Sequence, residues 1–207
     1  MYIKIYTLSS NQGGHRFMNI CVYGASSIDL DKKYIEEGEL LGKKIAEDGH
    51  TLIFGGGNNG MMGAAARGAD SKGGEIIGIA PIFFNVDGIL YNSKTLIRPE
   101  TMRERKKILE DKSDAFIITA GGIGTMDEFF EILTLKQLGR HCKPVVILNS
   151  YGFYDKMLEM LDFYIAEKVL YKTVKNLYYV TDNVSDAMDY ISNYEYEQID
   201  PSKYKRI

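Results

Sequence analysis

Ala115-Phe-Ile-Ile-Thr119, running into Ala120-Gly-Gly-Ile-Gly-Thr-Met-Asp-Glu128, is an apolar strand pattern that breaks on glycines and restarts as a helix. A short run that is apolar at every position is buried on both faces, as in a parallel sheet covered by helices. The same alternation extends in both directions along the chain. Apolar, β-branched runs at 20–23, 51–54, 76–80, 95–97, 115–119, 145–148 and 178–180 predict strands. Between them, apolar residues three and four apart predict helices: Tyr34, Leu41 and Ile45; Phe153, Met157, Leu161 and Ile165; Val184, Ala187, Met188 and Ile191. The expected fold is α/β, a single Rossmann-like doubly wound parallel sheet flanked by helices, with right-handed crossovers. Such sheets bind ligands at the carboxyl ends of their strands, so the loops that follow the strands should carry the function.

The 207 residues, 45% apolar and 26% charged, suit one globular domain. We expect it at 18–193, with 1–17 as a leader that need not belong to the fold and 194–207 as a polar C-terminal tail. The breaker cluster Asn11-Gln-Gly-Gly-His-Arg16 makes Met18 a candidate start, and the alternative is an extra edge strand at 2–6. A net charge of −3 supplies no basic field for nucleic acid or an anionic membrane, which leaves a small molecule as the expected partner. Cys21 and Cys142 lie in or just before strand patterns, against a disulfide framework or a zinc site, and no metal is expected. No apolar run nears the roughly 18–20 residues of a membrane span, and no cleavable signal pattern opens the chain. The expected location is the cytoplasm.

Two glycine loops follow strands. Gly55-Gly-Gly-Asn-Asn-Gly-Met-Met-Gly63 precedes an Ala-rich helix, and its Gly56, Gly57 and Gly60 could bring backbone close to a ligand or merely let the helix pack tightly. A dinucleotide site would add an acidic residue at the end of the next strand. That strand ends Gly78-Ile-Ala-Pro81, with Glu75 at its other end, so a dehydrogenase is disfavoured.

The second loop offers Gly121, Gly122, Ile123, Gly124 and Thr125 before a helix expected near Met126. Converging backbone N–H groups and the helix dipole make an anion cradle. No lysine follows Gly124, so this is not a triphosphate-binding Walker loop, and a nucleoside monophosphate fits better. Thr125 and Glu128 also have the spacing of a capping box, and Asp127 that of an ordinary first-turn acid; both readings stand at this point.

Thr101-Met-Arg-Glu-Arg-Lys-Lys-Ile-Leu109 opens another helix, and a run of mixed charge usually marks a solvated face. Yet Met102, Arg105, Ile108 and Leu109 share one face, while Arg103 and Lys107 turn elsewhere. Arg105 therefore points inward and requires an acidic or phosphate partner, because an unpaired buried charge is very costly. A structural ion pair at a helix end is the alternative.

Taken together, Gly55 to Gly63, Met102-Arg-Glu-Arg-Lys106, Ala120 to Glu128 and Gln137-Leu-Gly-Arg-His-Cys-Lys-Pro144 resemble the Lonely Guy (LOG) family over residues 20–170. The family shows a GGGxxGLMG loop, an MxERK helix start and a PGGxGTxxE loop in this order. Its members are cytokinin riboside 5′-monophosphate phosphoribohydrolases, which release an adenine-type base and ribose 5-phosphate with no cofactor. The resemblance implies that Arg105 and Glu128 are the catalytic pair. It further implies that Met102, Lys106, Gly121 to Thr125, Asp127 and Thr134 bind a substrate such as AMP, and that the protein is a homodimer or larger homo-oligomer. Ala120 stands where the family has proline, and Arg103 where it often has histidine. Members have also been labelled lysine decarboxylases, but no Schiff-base lysine beside a recognisable pyridoxal phosphate site is visible. The reading from another class is a nucleotide carrier of the same fold, which would need the glycine loop but not the pair.

Overall fold

The computed structural model describes residues 16–84 and 88–204. The alternative edge strand at 2–6 lies outside the described residues. The elements run β1 (Asn19–Tyr23), α1 (Lys32–Glu47), β2 (Thr51–Phe54), α2 (Gly60–Asp70), β3 (Ile76–Ile79), β4 (Thr95–Ile97), α3 (Met102–Lys112), β5 (Ala115–Ile118), α4 (Ile123–Gln137), β6 (Val145–Leu148), α5 (Asp155–Ala166), β7 (Tyr179–Thr181) and α6 (Val184–Ser192). The sheet has the order β4-β3-β2-β1-β5-β6-β7, and every pairing is parallel. This is the expected α/β architecture.

The strands alternate between two cores. From β1, Ile20 and Val22 join Leu41, Ile45, Ala65, Ala69, Met188 and Ile191 beneath α1, α2 and α6. Cys21 and Tyr23 face the other way, with Leu109, Phe129, Ile132 and Leu161 of α3, α4 and α5. The small residues of α2 serve helix–helix contact: a Cβ on Gly42 of α1 would stand 1.9 Å from the Ala65 carbonyl oxygen.

Several element ends differ from the sequence reading. β7 starts at Tyr179 rather than 178, β3 and β5 stop one residue early, and Phe153 precedes α5 instead of sharing its face. Ala80 and Thr119 nevertheless continue the ladder by single bonds, Ala80 N–H to the Ile97 carbonyl (3.0 Å) and Thr119 N–H to that of Tyr23 (2.9 Å). The residues after α6 fold back onto the body, where Ile199 and Tyr204 pack on the second core and Gln137 Nε2 donates to the Tyr204 carbonyl (2.8 Å).

β1 pairs with β2 on one side and β5 on the other, so the strand order reverses there. Loops leaving β1 and β5 part at their carboxyl ends, which makes this the ligand crevice of a doubly wound sheet. The Ala25 N–H donates to the Ala120 carbonyl across its floor (2.9 Å).

Candidate active site

α3 is started by Thr101, whose hydroxyl accepts from the Glu104 N–H (3.1 Å) while the Glu104 carboxylate accepts from the Thr101 N–H (3.1 Å). This capping box fixes the first turn and hence the direction of Arg105 one residue later. Arg105 points inward as its spacing predicts and is only 6% exposed. Its Nε donates to the Ile79 carbonyl at the end of β3 (3.0 Å), and one terminal nitrogen donates to Glu128 Oε1 (2.6 Å). The guanidinium lies directly over the first glycine loop, where a Cβ on Gly55 would come within 2.2 Å of it.

Glu128 is 8% exposed and comes from α4. That helix begins at Ile123 with Gly122 as N-cap, not near Met126. The capping box between Thr125 and Glu128 is therefore not formed. Thr125 already lies inside the first turn, buried beneath Gly121, and Glu128 is a turn further in, facing Arg105. The N–H groups of Ile123, Gly124 and Thr125 have no carbonyl one turn back to accept them. Around them the loop is open: a Cβ on Gly122 or Gly124 would meet nothing within 4 Å, and Ile123 is 91% exposed. At ~1.5 Å per residue, Ile123 and Glu128 are separated by about 7.5 Å along the axis. Gly124 and Thr125, four and three residues before Glu128, are the first-turn residues on its helix face.

Burial pushes the Glu128 carboxyl above its ordinary value, and the Arg105 charge opposes that shift. Behind the pair, burial raises the Cys21 thiol to about 12 and the Tyr23 hydroxyl well above its usual range, with the Glu128 charge adding to both. The pair is thus backed by neutral groups, so the guanidinium is the main local force favouring ionised Glu128.

The other expected residues divide. Lys106 does not face the loop; its Nζ bridges Glu131 (2.6 Å) and Asp127 (3.0 Å), tying α3 to α4. Met102 lies exposed at the start of α3, and Thr134 is exposed on α4 one turn beyond Glu131. The first glycine loop is closed: Tyr91 N–H donates to the Gly56 carbonyl (2.9 Å), Gly57 pairs with Leu90, and a Cβ on Gly60 would stand 2.3 Å from the Ala25 carbonyl oxygen. Its backbone cradles Arg105 and the loop after β1. Two further segments reach the site: Gly55, given no role of its own within its loop in the sequence, which makes room for the guanidinium, and Gly24-Ala-Ser-Ser27, which leaves β1 at the crevice with both serines exposed. Its position after the first strand was the available signal. Among the described residues no group of three or more His, Cys, Asp or Glu side chains could hold a metal ion, and no helix is long and apolar enough to cross a membrane.

Residues 62–191 match the protein family described as "Possible lysine decarboxylase". A Mycobacterium tuberculosis protein named cytokinin riboside 5′-monophosphate phosphoribohydrolase is 36% identical over 170 residues, 82% of this chain and 90% of its own length. A rice (Oryza sativa) protein, cytokinin riboside 5′-monophosphate phosphoribohydrolase LOG, is 32% identical over 87% of this chain and 76% of its own. Among solved structures, the molybdenum cofactor binding protein of Rippkaea orientalis superposes with a TM-score of 0.67 at 25% identity, covering 85% of this chain and 96% of that one. The Moco carrier protein of Chlamydomonas reinhardtii gives 0.64 at 28%, covering 84% and 94%.

Proposed function

The chain belongs to the LOG family, and from that premise we propose that it hydrolyses the N-glycosidic bond of an adenine-type nucleoside 5′-monophosphate, AMP or a cytokinin riboside 5′-monophosphate. The products are the free base and ribose 5-phosphate. The observation that carries this reading is the buried Arg105–Glu128 pair, 2.6 Å apart, on the helix whose open start follows the second glycine loop. Breaking the bond builds positive charge on the ribose, which a carboxylate beside the anomeric carbon stabilises, as in glycoside hydrolysis. Glu128 is that carboxylate, and Arg105 keeps it ionised and oriented. Backbone N–H groups from Gly121 to Thr125 hold the 5′-phosphate, so its binding energy positions the ribose. Met102, Lys106, Asp127 and Thr134, which the family resemblance implies as substrate-binding, are proposed as contacts outside this centre. We place the reaction in the cytoplasm, where Cys21 and Cys142 stay free thiols. We also propose that the protein is a homo-oligomer, supported by the exposed apolar residues of α5.

Incubation with AMP should release adenine, and adenosine should be a much poorer substrate. Glu128→Gln should abolish release while retaining nucleotide binding. Turnover of Glu128→Gln within a few-fold of the parent would reduce Glu128 to a structural partner of Arg105. The likeness to molybdenum cofactor carriers supports the second reading, a carrier; binding without turnover in the unaltered protein would favour it.

A further inference from the structure

We propose that Tyr154 is a positioning residue for the phosphate seat, holding the backbone of the Ala120 to Thr125 loop from the side opposite β1. The inference rests on the reading of that loop as the place where the 5′-phosphate binds.

Tyr154 is the N-cap of α5 and is buried, with its hydroxyl donating to the Thr119 carbonyl at 2.6 Å. Burial raises the Tyr154 hydroxyl above its ordinary value, with the Gly121 backbone opposing that shift. The phenol oxygen thus holds the Thr119–Ala120 peptide at the root of the loop. From the other side, the Thr119 N–H and hydroxyl both donate to the Tyr23 carbonyl (2.9 Å each), and the Ala120 carbonyl accepts from Ala25. The loop root is held between β1 and Tyr154. Beyond it the chain passes directly into α4, with Gly122 as N-cap and its carbonyl accepting from the Met126 N–H (3.0 Å), and the space about Gly122 and Gly124 is open, so the backbone at residues 119–121 sets where that helix start stands.

The chain after β6 is shaped to present this tyrosine. Tyr151 takes a left-handed conformation (φ 58°), which costs a non-glycine residue energy and is retained only where the surroundings enforce it. Gly152 follows at φ 67°, and the turn brings the Tyr154 N–H onto Asn149 Oδ1 (2.6 Å). Asn149 Nδ2 in turn donates to Asp155 Oδ1 (2.8 Å), locking the start of α5. An apolar side chain would fill the same space without bonding to the loop.

The test compares the parent with Tyr154→Phe, using AMP, adenosine and inorganic phosphate as a competitive inhibitor. For the variant, KM for AMP and Ki for phosphate should both rise about tenfold, the equivalent of one hydrogen bond's contribution, while kcat stays within about threefold. The preference for AMP over adenosine should narrow. A lower Tm or kcat with KM and Ki unchanged would overturn the proposal and leave Tyr154 as a tie between loops. Should Tyr154→Phe fail to fold, Asn149→Ala, which loosens the tyrosine without altering its hydroxyl, should shift KM and Ki in the same direction; no shift there also overturns it. If the parent itself cleaves adenosine as well as AMP and ignores phosphate, the phosphate assignment of the loop fails first. That outcome is visible before any variant is made.

Discussion

Arg105 shows how far spacing alone can carry a charged residue. Its place with Met102, Ile108 and Leu109 predicted an inward guanidinium, and the structure puts it there with Glu128 as the acidic partner. Glu128 was legible only as one of two readings, because a carboxylate three residues after a threonine looks the same whether it caps a helix or faces a neighbour. The decision came from where α4 starts, which glycine-rich sequence does not mark. If the two side chains act as one unit, losses in kcat/KM from Arg105→Ala and Glu128→Ala should be strongly non-additive, with the double variant little worse than either single. Arg105→Lys should rescue poorly, since a point charge cannot reproduce the planar guanidinium contacts with Glu128 and Ile79. Lys107, paired with Asp111 on the exposed face, should tolerate alanine. Thermal melts must accompany these assays, because removing one partner of a buried pair costs about 3–5 kcal/mol. The pH profile has a definite sign. Burial raises Glu128 and Arg105 lowers it, so Arg105→Gln should move the acid limb of the residual kcat/KM to higher pH. A limb that stays in place would show that Glu128 does not act as the ionised form.

At the scale of elements, the strands were legible because each is a short apolar run, and their ends drifted by a residue because single ladder bonds continue past them. The helices α1, α2, α3 and α6 were legible from periodicity and small residues. The role of the first glycine loop was not, since G-x-G-x-x-G describes close approach without naming what approaches. Here the neighbour is the protein's own guanidinium. Gly55→Ala should therefore damage activity more than folding. The new Cβ would meet Arg105 at 2.2 Å and Met62 Sδ at 2.9 Å, and because Arg105 is held by Ile79 and Glu128 it cannot swing away without breaking the pair. We expect overpacking of about 1–3 kcal/mol by thermal or denaturant unfolding, and a fall in kcat/KM of roughly tenfold or more, as expected when a catalytic group is displaced by an ångström. An alanine variant with parental kcat/KM would mean that the guanidinium has room that the geometry denies it.

Across the whole molecule, the alternation of strands and helices made the doubly wound class legible, and the crevice beside β1 followed from its topology. Periodicity does not record which helix faces remain uncovered, because it reports an apolar side without saying what lies against it. In α5 only Leu161 is buried, while Phe163 is 59% exposed, Met160 and Tyr164 are also exposed, and Val169 follows on the same stretch. A helix lying on a sheet ordinarily buries a broad apolar stripe. Here apolar groups face outward as well, so a second copy of the chain covering them would remove that surface from water, and a stable interface needs about 1,000 Å² or more in total. Sedimentation of the parent at micromolar concentration should give a multiple of the 23.4 kDa chain mass. Phe163→Glu places a charge in the middle of the proposed contact and should shift the protein toward monomer. Lys107→Glu, on exposed α3, should leave the assembly as it is. A monomeric parent, or a Phe163→Glu protein that sediments unchanged, would show that α5 is not the contact, and a circular dichroism spectrum of each variant separates lost assembly from lost folding.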